Sequence, residues 1–171
     1  MTSVTLDHNC IIHCSNGTDV GEQVRAIITN VAFQCFVVNI GASEMLEKGV
    51  RPTDYATFEH LLQSAGIANL PRLNPLGIYG VTFYGYSEFA GPQDLELVNA
   101  IQEVLFEPFD ENANLDEKKA LNRTCDVHTM RCHIANENDI FLTSDGNFKK
   151  ATKLPRLLEL GAKRICRPDE L

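Results

Sequence analysis

Four carboxylates that lie far apart in the sequence are the candidates for chemistry in this chain: Asp7, Glu44, Asp126 and Asp145. Asp7 and Asp145 stand just past the ends of predicted strands, and Glu44 stands a few residues past another. A carboxylate so close to an apolar core is costly unless a cation or a hydrogen-bond donor compensates it. Several carboxylates together also raise one another's pKa values, and a divalent ion is the usual remedy. The set therefore predicts a divalent-ion site assembled from distant segments.

Strands and helices alternate in the hydrophobic pattern that must position these acids. Strands are predicted over 4–6, 35–40, 139–143 and 164–166, and helices over about 19–31, 53–65, 92–105, a segment through Asp126 to 136, and 155–160. This alternation indicates an α/β fold with a mostly parallel central sheet flanked by helices, a Rossmann-like sandwich. In such sheets the functional crevice lies outside the carboxyl ends of the strands, where residues distant in sequence meet.

Asp126 belongs to a predicted helix rather than to a strand end. Val127, Met130 and Ile134 define the buried side of that helix, and Asp126 lies at the edge of their apolar stripe. From this position Asp126 could reach over the end of the sheet toward the other acids. The simpler interpretation is a charge near a helix N-terminus that interacts favourably with the helix dipole.

The length of 171 residues favours one domain over the whole chain, 1–171. The middle, about residues 66–115, is predicted to be an insertion, and the stretch 71–91 within it is predicted to be a loop-rich flap, with weak strand character at 78–84. The six cysteines form no CxxC pair, so we expect reduced, buried thiols rather than zinc ligands beside the nearby histidines. No apolar stretch reaches the roughly 18 residues of a membrane span, and the N-terminus lacks the order of a signal peptide. We therefore expect a cytoplasmic protein that does not contact a membrane.

The charge is unevenly distributed along the chain. The formal net charge is −8, which argues against a protein that binds nucleic acid over its whole surface. Residues 149–171, however, hold seven basic and three acidic residues. A solvated helix face is the commoner meaning of such a cluster. The functional interpretation is a track for a phosphate backbone beside the acidic site.

The residues around the acids resemble a known family, the PIN-domain nucleases. Asp126, followed by Ile134-Ala135 and then by Ile140-Phe141-Leu142-Thr143-Ser144-Asp145-x-x-Phe148, resembles the C-terminal signature of that family. In the signature an aspartate opens a helix, and a later strand ends in Thr-x-Asp-x-x-Phe. Leu6-Asp7-His8-Asn9 is similar to the end of the family's first strand, and Ser43-Glu44 to the glutamate after its second. The resemblance covers residues 122–171 and 1–47 and is absent between them.

The resemblance implies a PIN-like fold and a Mg²⁺- or Mn²⁺-dependent endoribonuclease. Its metal-ligating and catalytic residues would be Asp7, Glu44, Asp126 and Asp145. Glu47 and Glu59 are rivals for the place of Glu44. The candidate supporting residues are Asn9, Thr143, Ser144 and Asn147. The family includes toxins that a small antitoxin protein holds inactive, so the expected partners are RNA, an antitoxin-like protein and a second copy of the chain.

Other interpretations of the same residues stay open. Asp7 or Asp145 alone could be a turn former or a helix cap, and His128 could be catalytic or simply buried. A PIN-like fold could also serve as a catalytically silent binding or scaffold module. A phosphatase of the haloacid dehalogenase type would use a strand-end aspartate as nucleophile, but it needs a second aspartate where this chain has Asn9.

Overall fold

The computed structural model describes residues 1–45, 54–106 and 116–171. Within them, five strands form one parallel sheet: β1 (Thr2–Leu6), β2 (Phe33–Val38), β3 (Arg72–Leu73), β4 (Ile140–Leu142) and β5 (Arg164–Cys166). The strand order is β3-β2-β1-β4-β5, so the chain winds outward in one direction from β1 and then in the other. The predicted α/β fold with a parallel central sheet is confirmed.

Helices connect the strands and cover the sheet. They are α1 (His8–Asn16), α2 (Asp19–Thr29), α3 (Gly41–Glu44), α4 (Ala56–Ser64), α5 (Pro92–Phe106), α6 (Glu117–Ala135) and α7 (Leu154–Glu159), followed by a 3₁₀ turn at Pro168–Glu170. Successive residues of β4 point to opposite faces, and accordingly Leu142 packs in one apolar cluster and Phe141 in another. None of the described helices combines the length and the apolar character that a membrane crossing requires.

The pairing register places the ends of the central strands side by side. Leu6, the last residue of β1, is paired with Val37 of β2 and with Leu142 of β4. The next residue, Asp7, donates its backbone N–H to the carbonyl of Leu142, with an N···O distance of 3.0 Å. The residues that follow β1 and β4 therefore emerge together at the point where the strand order reverses, which is where open α/β sheets bind ligands.

The structure differs from the sequence prediction at several points. The residues after Asp7 form helix α1, because Cys10, Ile11 and Cys14 bury one helical face. Residues 78–84 form turns rather than a strand. Asp126 lies in the middle of α6, which begins nine residues earlier at Glu117, so a charge favouring the helix dipole does not explain it.

The segment between β3 and α5 is fastened to the rest of the molecule. Arg131 of α6, buried to 5% side-chain exposure, forms ion pairs with Glu88 of this segment and with Asp94 of α5. Tyr86 stacks on Tyr55 with ring centroids 3.6 Å apart and an interplanar angle of 6°. The predicted loop-rich flap is thus irregular in backbone but packed, over the part that the structure describes.

Candidate active site at the carboxyl edge of the sheet

Asp7 is buried at the centre of the site, with 3% of its surface exposed. It caps α1: its Oδ1 accepts the backbone N–H of His8 at 2.8 Å. Its Oδ2 accepts the hydroxyl of Thr143 at 2.6 Å. Burial raises the pKa of Asp7 to about 6, and the charge of Asp145 adds to the rise, while the bonds from Thr143, His8 and Asn9 oppose it. A role as a helix cap does not by itself explain why the carboxylate of Asp7 is so deeply buried.

Thr143 joins the ends of two strands. Its hydroxyl donates to Asp7 and accepts the backbone N–H of Asp145 at 2.9 Å. The hydroxyl is fully buried, and these two bonds use its single proton and a lone pair. Thr143 therefore fixes the distance between the residue that follows β1 and the loop that follows β4.

The loop after β4 holds Asp145 in a tight turn. Its Oδ1 accepts the backbone N–H of Asn147 at 2.8 Å, and the side chain of Asn147 in turn accepts a hydrogen bond from Lys153 at 2.7 Å. Ser144 is half-buried between the two anchored residues. The loop thus orients the carboxylate of Asp145 through a hydrogen bond to one of its two oxygens.

Asp126 and Glu44 approach the same edge from helices α6 and α3. Burial raises the pKa of Asp126 to about 8, and the charges of Asp7 and Asp145 raise it further, against a lowering by Lys153. Burial also raises the pKa of Glu44 well above its ordinary value, and Asp7 and Asp126 contribute. Each of the four predicted acids therefore interacts through its charge with at least two of the others at this edge.

The rivals of Glu44 are placed differently. Glu59, on α4, is paired with Arg72 at 3.5 Å, which gives its charge a structural partner. Glu47 lies outside the described residues. Among the described acids weighed for the fourth place, Glu44 is the one whose charge interacts with Asp7 and Asp126.

Two histidines adjoin the acids in sequence but are buried as neutral rings. Burial lowers the pKa values of His8 and His128 to about 4. The Nδ1 atom of each has no hydrogen-bond partner among the described residues. On α6, two residues of separation turn His128 well away from Asp126 around the helix axis.

The carboxylate oxygens of the four acids are ligands that suit a hard divalent cation, although they do not form a complete metal site by themselves. Within the described residues, no three His, Cys, Asp or Glu side chains are grouped closely enough to hold a metal ion by themselves. Mg²⁺ is usually bound by one or two carboxylates together with waters and substrate phosphates, so a preformed group of three is not required. The mutual repulsion at Asp7, Asp126 and Glu44 is the kind of imbalance that a bound cation relieves.

Lys153 is a residue of the site that the sequence prediction missed. Its Nζ donates to the side chain of Asn147 and to the carbonyl of Leu105 at the end of α5, and its charge lowers the pKa of Asp126. The signal was present in the basic run of residues 149–171, but sequence alone does not show which of those cations turns toward the acids.

No protein-family model, curated protein or solved structure matches the chain. The resemblance to PIN domains therefore depends on the quoted residues, and the roles of the four acids as metal ligands stay a prediction.

We expect the metal-free protein to lose stability as the pH rises from about 6.5 to 8. An acid whose pKa is raised by folding keeps its proton in the native state after the unfolded chain has lost it, so the free energy of unfolding falls with pH until the folded pKa is passed. For Asp126 this window runs from 3.8 to about 8. The buried histidines, whose folded pKa values lie near 4, act in the opposite sense only below about 6.5.

Urea unfolding in EDTA across that interval measures the effect. The free energy of unfolding should fall by roughly 1 kcal/mol per pH unit through Asp126, less than the limit of about 1.4 kcal/mol for one proton because Asp126 itself begins to titrate as the pH approaches 8. Asp126→Asn should lower the slope, and Glu44, whose pKa is also raised, should supply what remains of the slope. Asp116→Asn, the same change at the exposed cap of α6, should keep it. A wild-type slope that is flat or rising would contradict the raised pKa values.

Proposed function

We propose that the protein is a Mg²⁺- or Mn²⁺-dependent endoribonuclease whose active site is the carboxyl edge around Asp7. The observation that carries the proposal is the convergence of a buried carboxylate, Asp7, and the partly buried carboxylates of Asp126 and Glu44 at the reversal point of the sheet, where their charges interact. Burying such charges destabilises the fold, so a functional reason for their presence is needed. RNA as the substrate, rather than another phosphodiester, comes from the resemblance to PIN domains.

The contacts of each residue suggest its role at the site. Asp7, Asp126, Asp145 and Glu44 would hold the ion. When bound, the ion supplies Lewis-acid chemistry, neutralising charge on a phosphodiester oxygen and making an attacking water more acidic. Thr143 and the N–H of Asn147 orient Asp7 and Asp145 so that little reorganisation is required.

A catalytically silent binding module is the second candidate, and one observation favours it. The described acids interact through their charges but are not gathered closely enough to form a metal site without further ligands. A phosphatase with Asp7 as nucleophile is disfavoured, because Asn9 occupies the place of the second aspartate that such enzymes use.

The direct test incubates the purified protein with a fluorescently labelled single-stranded RNA in Mn²⁺, in Mg²⁺ or in EDTA. Internal cleavage products should appear with one or both ions and be absent in EDTA. Titration calorimetry with Mn²⁺ should show binding that tightens as the pH rises through 8, since the ligands must lose their protons. Intact RNA in all three conditions, together with no heat of Mn²⁺ binding, would favour the silent module.

A further inference from the structure

A cleft of about 440 Å³ opens beside the carboxylates, between the end of α5, the first half of α6 and the turn before α7. Its lining residues are Leu105, Phe106, Arg123, Asn147, Lys150, Thr152 and Lys153. Three of these side chains are cationic, and none of the described lining residues is acidic. In a chain of net charge −8 this is a local reversal of sign, next to its most acidic site.

Two of the cations are held by an aromatic ring at the end of α5. The guanidinium carbon of Arg123 lies over the ring of Phe106 at 5.0 Å from the centroid, and Nζ of Lys153 lies 5.7 Å from the same centroid. A guanidinium that contacts a ring through its face can still donate through its edge, and that edge fits two phosphate oxygens at once. Lys150 is exposed at the rim of the cleft.

The cleft and the carboxylates share a wall. The backbone N–H of Asn147 donates to Asp145, while its side-chain oxygen accepts from Lys153. Asp126 lies one helical turn after Arg123 on α6, and the charge of Lys153 lowers its pKa. A ligand in the cleft would therefore lie beside a divalent ion bound by the carboxylates.

We propose that this cleft binds a backbone phosphate of single-stranded RNA, adjacent to the phosphate at which the strand is cut. The proposal rests on the proposed function, because the cut phosphate is the one at the carboxylates. Acids that repel a polyanion need cations nearby to give it affinity, and such cations act by releasing counterions from the strand. Arg123 and Lys150 donate to the phosphate, and Lys153 supports them while it holds Asn147.

The test measures RNA binding without cleavage. Fluorescence anisotropy of a labelled single-stranded RNA in EDTA gives the association constant over a range of salt concentrations. Each phosphate contact contributes about 0.7 to the slope of its logarithm against the logarithm of salt. The double variant with Lys150→Gln and Arg123→Gln removes the contact with this one phosphate and should lower the slope by about 0.7, which is about an eightfold weaker association at 50 mM salt. Each single variant should lower the slope by part of that amount.

Arg156→Gln is the matched control, because Arg156 is exposed on α7 and does not line the cleft. It removes the same charge and should leave the slope within error of wild type. Equal weakening of RNA binding by all three single variants would overturn the proposed phosphate site and indicate a general charge effect. The absence of wild-type RNA binding at 50 mM salt would also overturn the proposed site.

Binding is measured in EDTA, where no cleavage is expected. If the cleft variants bind RNA like wild type, the cleft proposal fails, while the proposed nuclease activity is still tested separately by cleavage in Mn²⁺. Conversely, if the cleft variants lower the salt slope but the protein does not cleave RNA in Mn²⁺ or Mg²⁺, the nuclease proposal is rejected and RNA binding at the cleft is retained.

Discussion

Asp7→Asn is expected to abolish Mn²⁺-stimulated cleavage of single-stranded RNA, and Asp145→Asn is expected to do the same. Each change removes a negative charge from the edge where the ion and the phosphate would meet. Losing one preorganised electrostatic group from an active site typically lowers turnover by about 10²–10³-fold, and the loss of an ion ligand should reach at least that range. The measurement is the initial rate of cleavage at saturating Mn²⁺.

The Asp7→Asn variant should still fold, so that its inactivity is informative. Asparagine is as good a helix cap as aspartate, and its Oδ1 can accept the N–H of His8. The raised pKa of Asp7 means that its charge destabilises the native state at pH 8. Removing that charge offsets the loss of the acceptor for the Thr143 hydroxyl, a loss that follows because the amide nitrogen of asparagine takes the place of Oδ2. Thermal unfolding of the purified variant checks both points.

Asp116→Asn is the matched control for this substitution. Asp116 also caps a helix, accepting the N–H of Lys119, but it lies ten residues before Asp126 on α6, a rise of about 15 Å. Its variant should cleave at the wild-type rate. Undiminished cleavage by both the Asp7 and Asp145 variants would reject the nuclease proposal and would identify any activity in the preparation as a contaminant.

Phe148→Ala should lower the free energy of unfolding by about 3–5 kcal/mol, the range for removing a buried aromatic ring. Phe148 is fully buried, and its ring centroid lies 5.0 Å from that of Phe141. It anchors the far end of the turn that carries Asp145 and Asn147. The loss should therefore also weaken Mn²⁺ binding, because the turn no longer fixes the carboxylate.

Urea unfolding and Mn²⁺ calorimetry on the same samples separate these effects. Phe89→Ala makes the same change at a fully exposed ring and should alter stability by less than about 0.5 kcal/mol. Phe148→Leu, which keeps much of the buried volume, should fall between the two. A Phe148→Ala variant as stable as wild type would mean that the ring does not anchor the turn.

The sequence determined four of the five described strands, all but β3, and most helices, because their signals are local. The unbroken apolar run after residue 34 indicated a strand buried on both faces, and the apolar spacing from Val20 to Ile28 indicated α2. Helix α1 was missed, since the run Cys10–Ile12 is apolar enough for either structure and only packing against the sheet decides. The turns at 78–84 were missed for a related reason: Gly80 within them and Gly85 just after them adopt positive φ, which overrides a weak alternation.

The candidate site was predictable only as a set of residues. Types and spacing singled out Asp7 and Asp145 at strand ends, because a carboxylate beside an apolar core is unusual in any context. What the acids contact was decided by the tertiary structure: the pairing of Leu6 with Leu142 brings Asp7 to the hydroxyl of Thr143. The interaction of Lys153 with Asp126 and Asn147 likewise joins segments that share no local pattern. Sequence periodicity shows which face of an element is buried, but strand register and helix docking depend on contacts between distant residues, and these contacts set the charges that surround each acid.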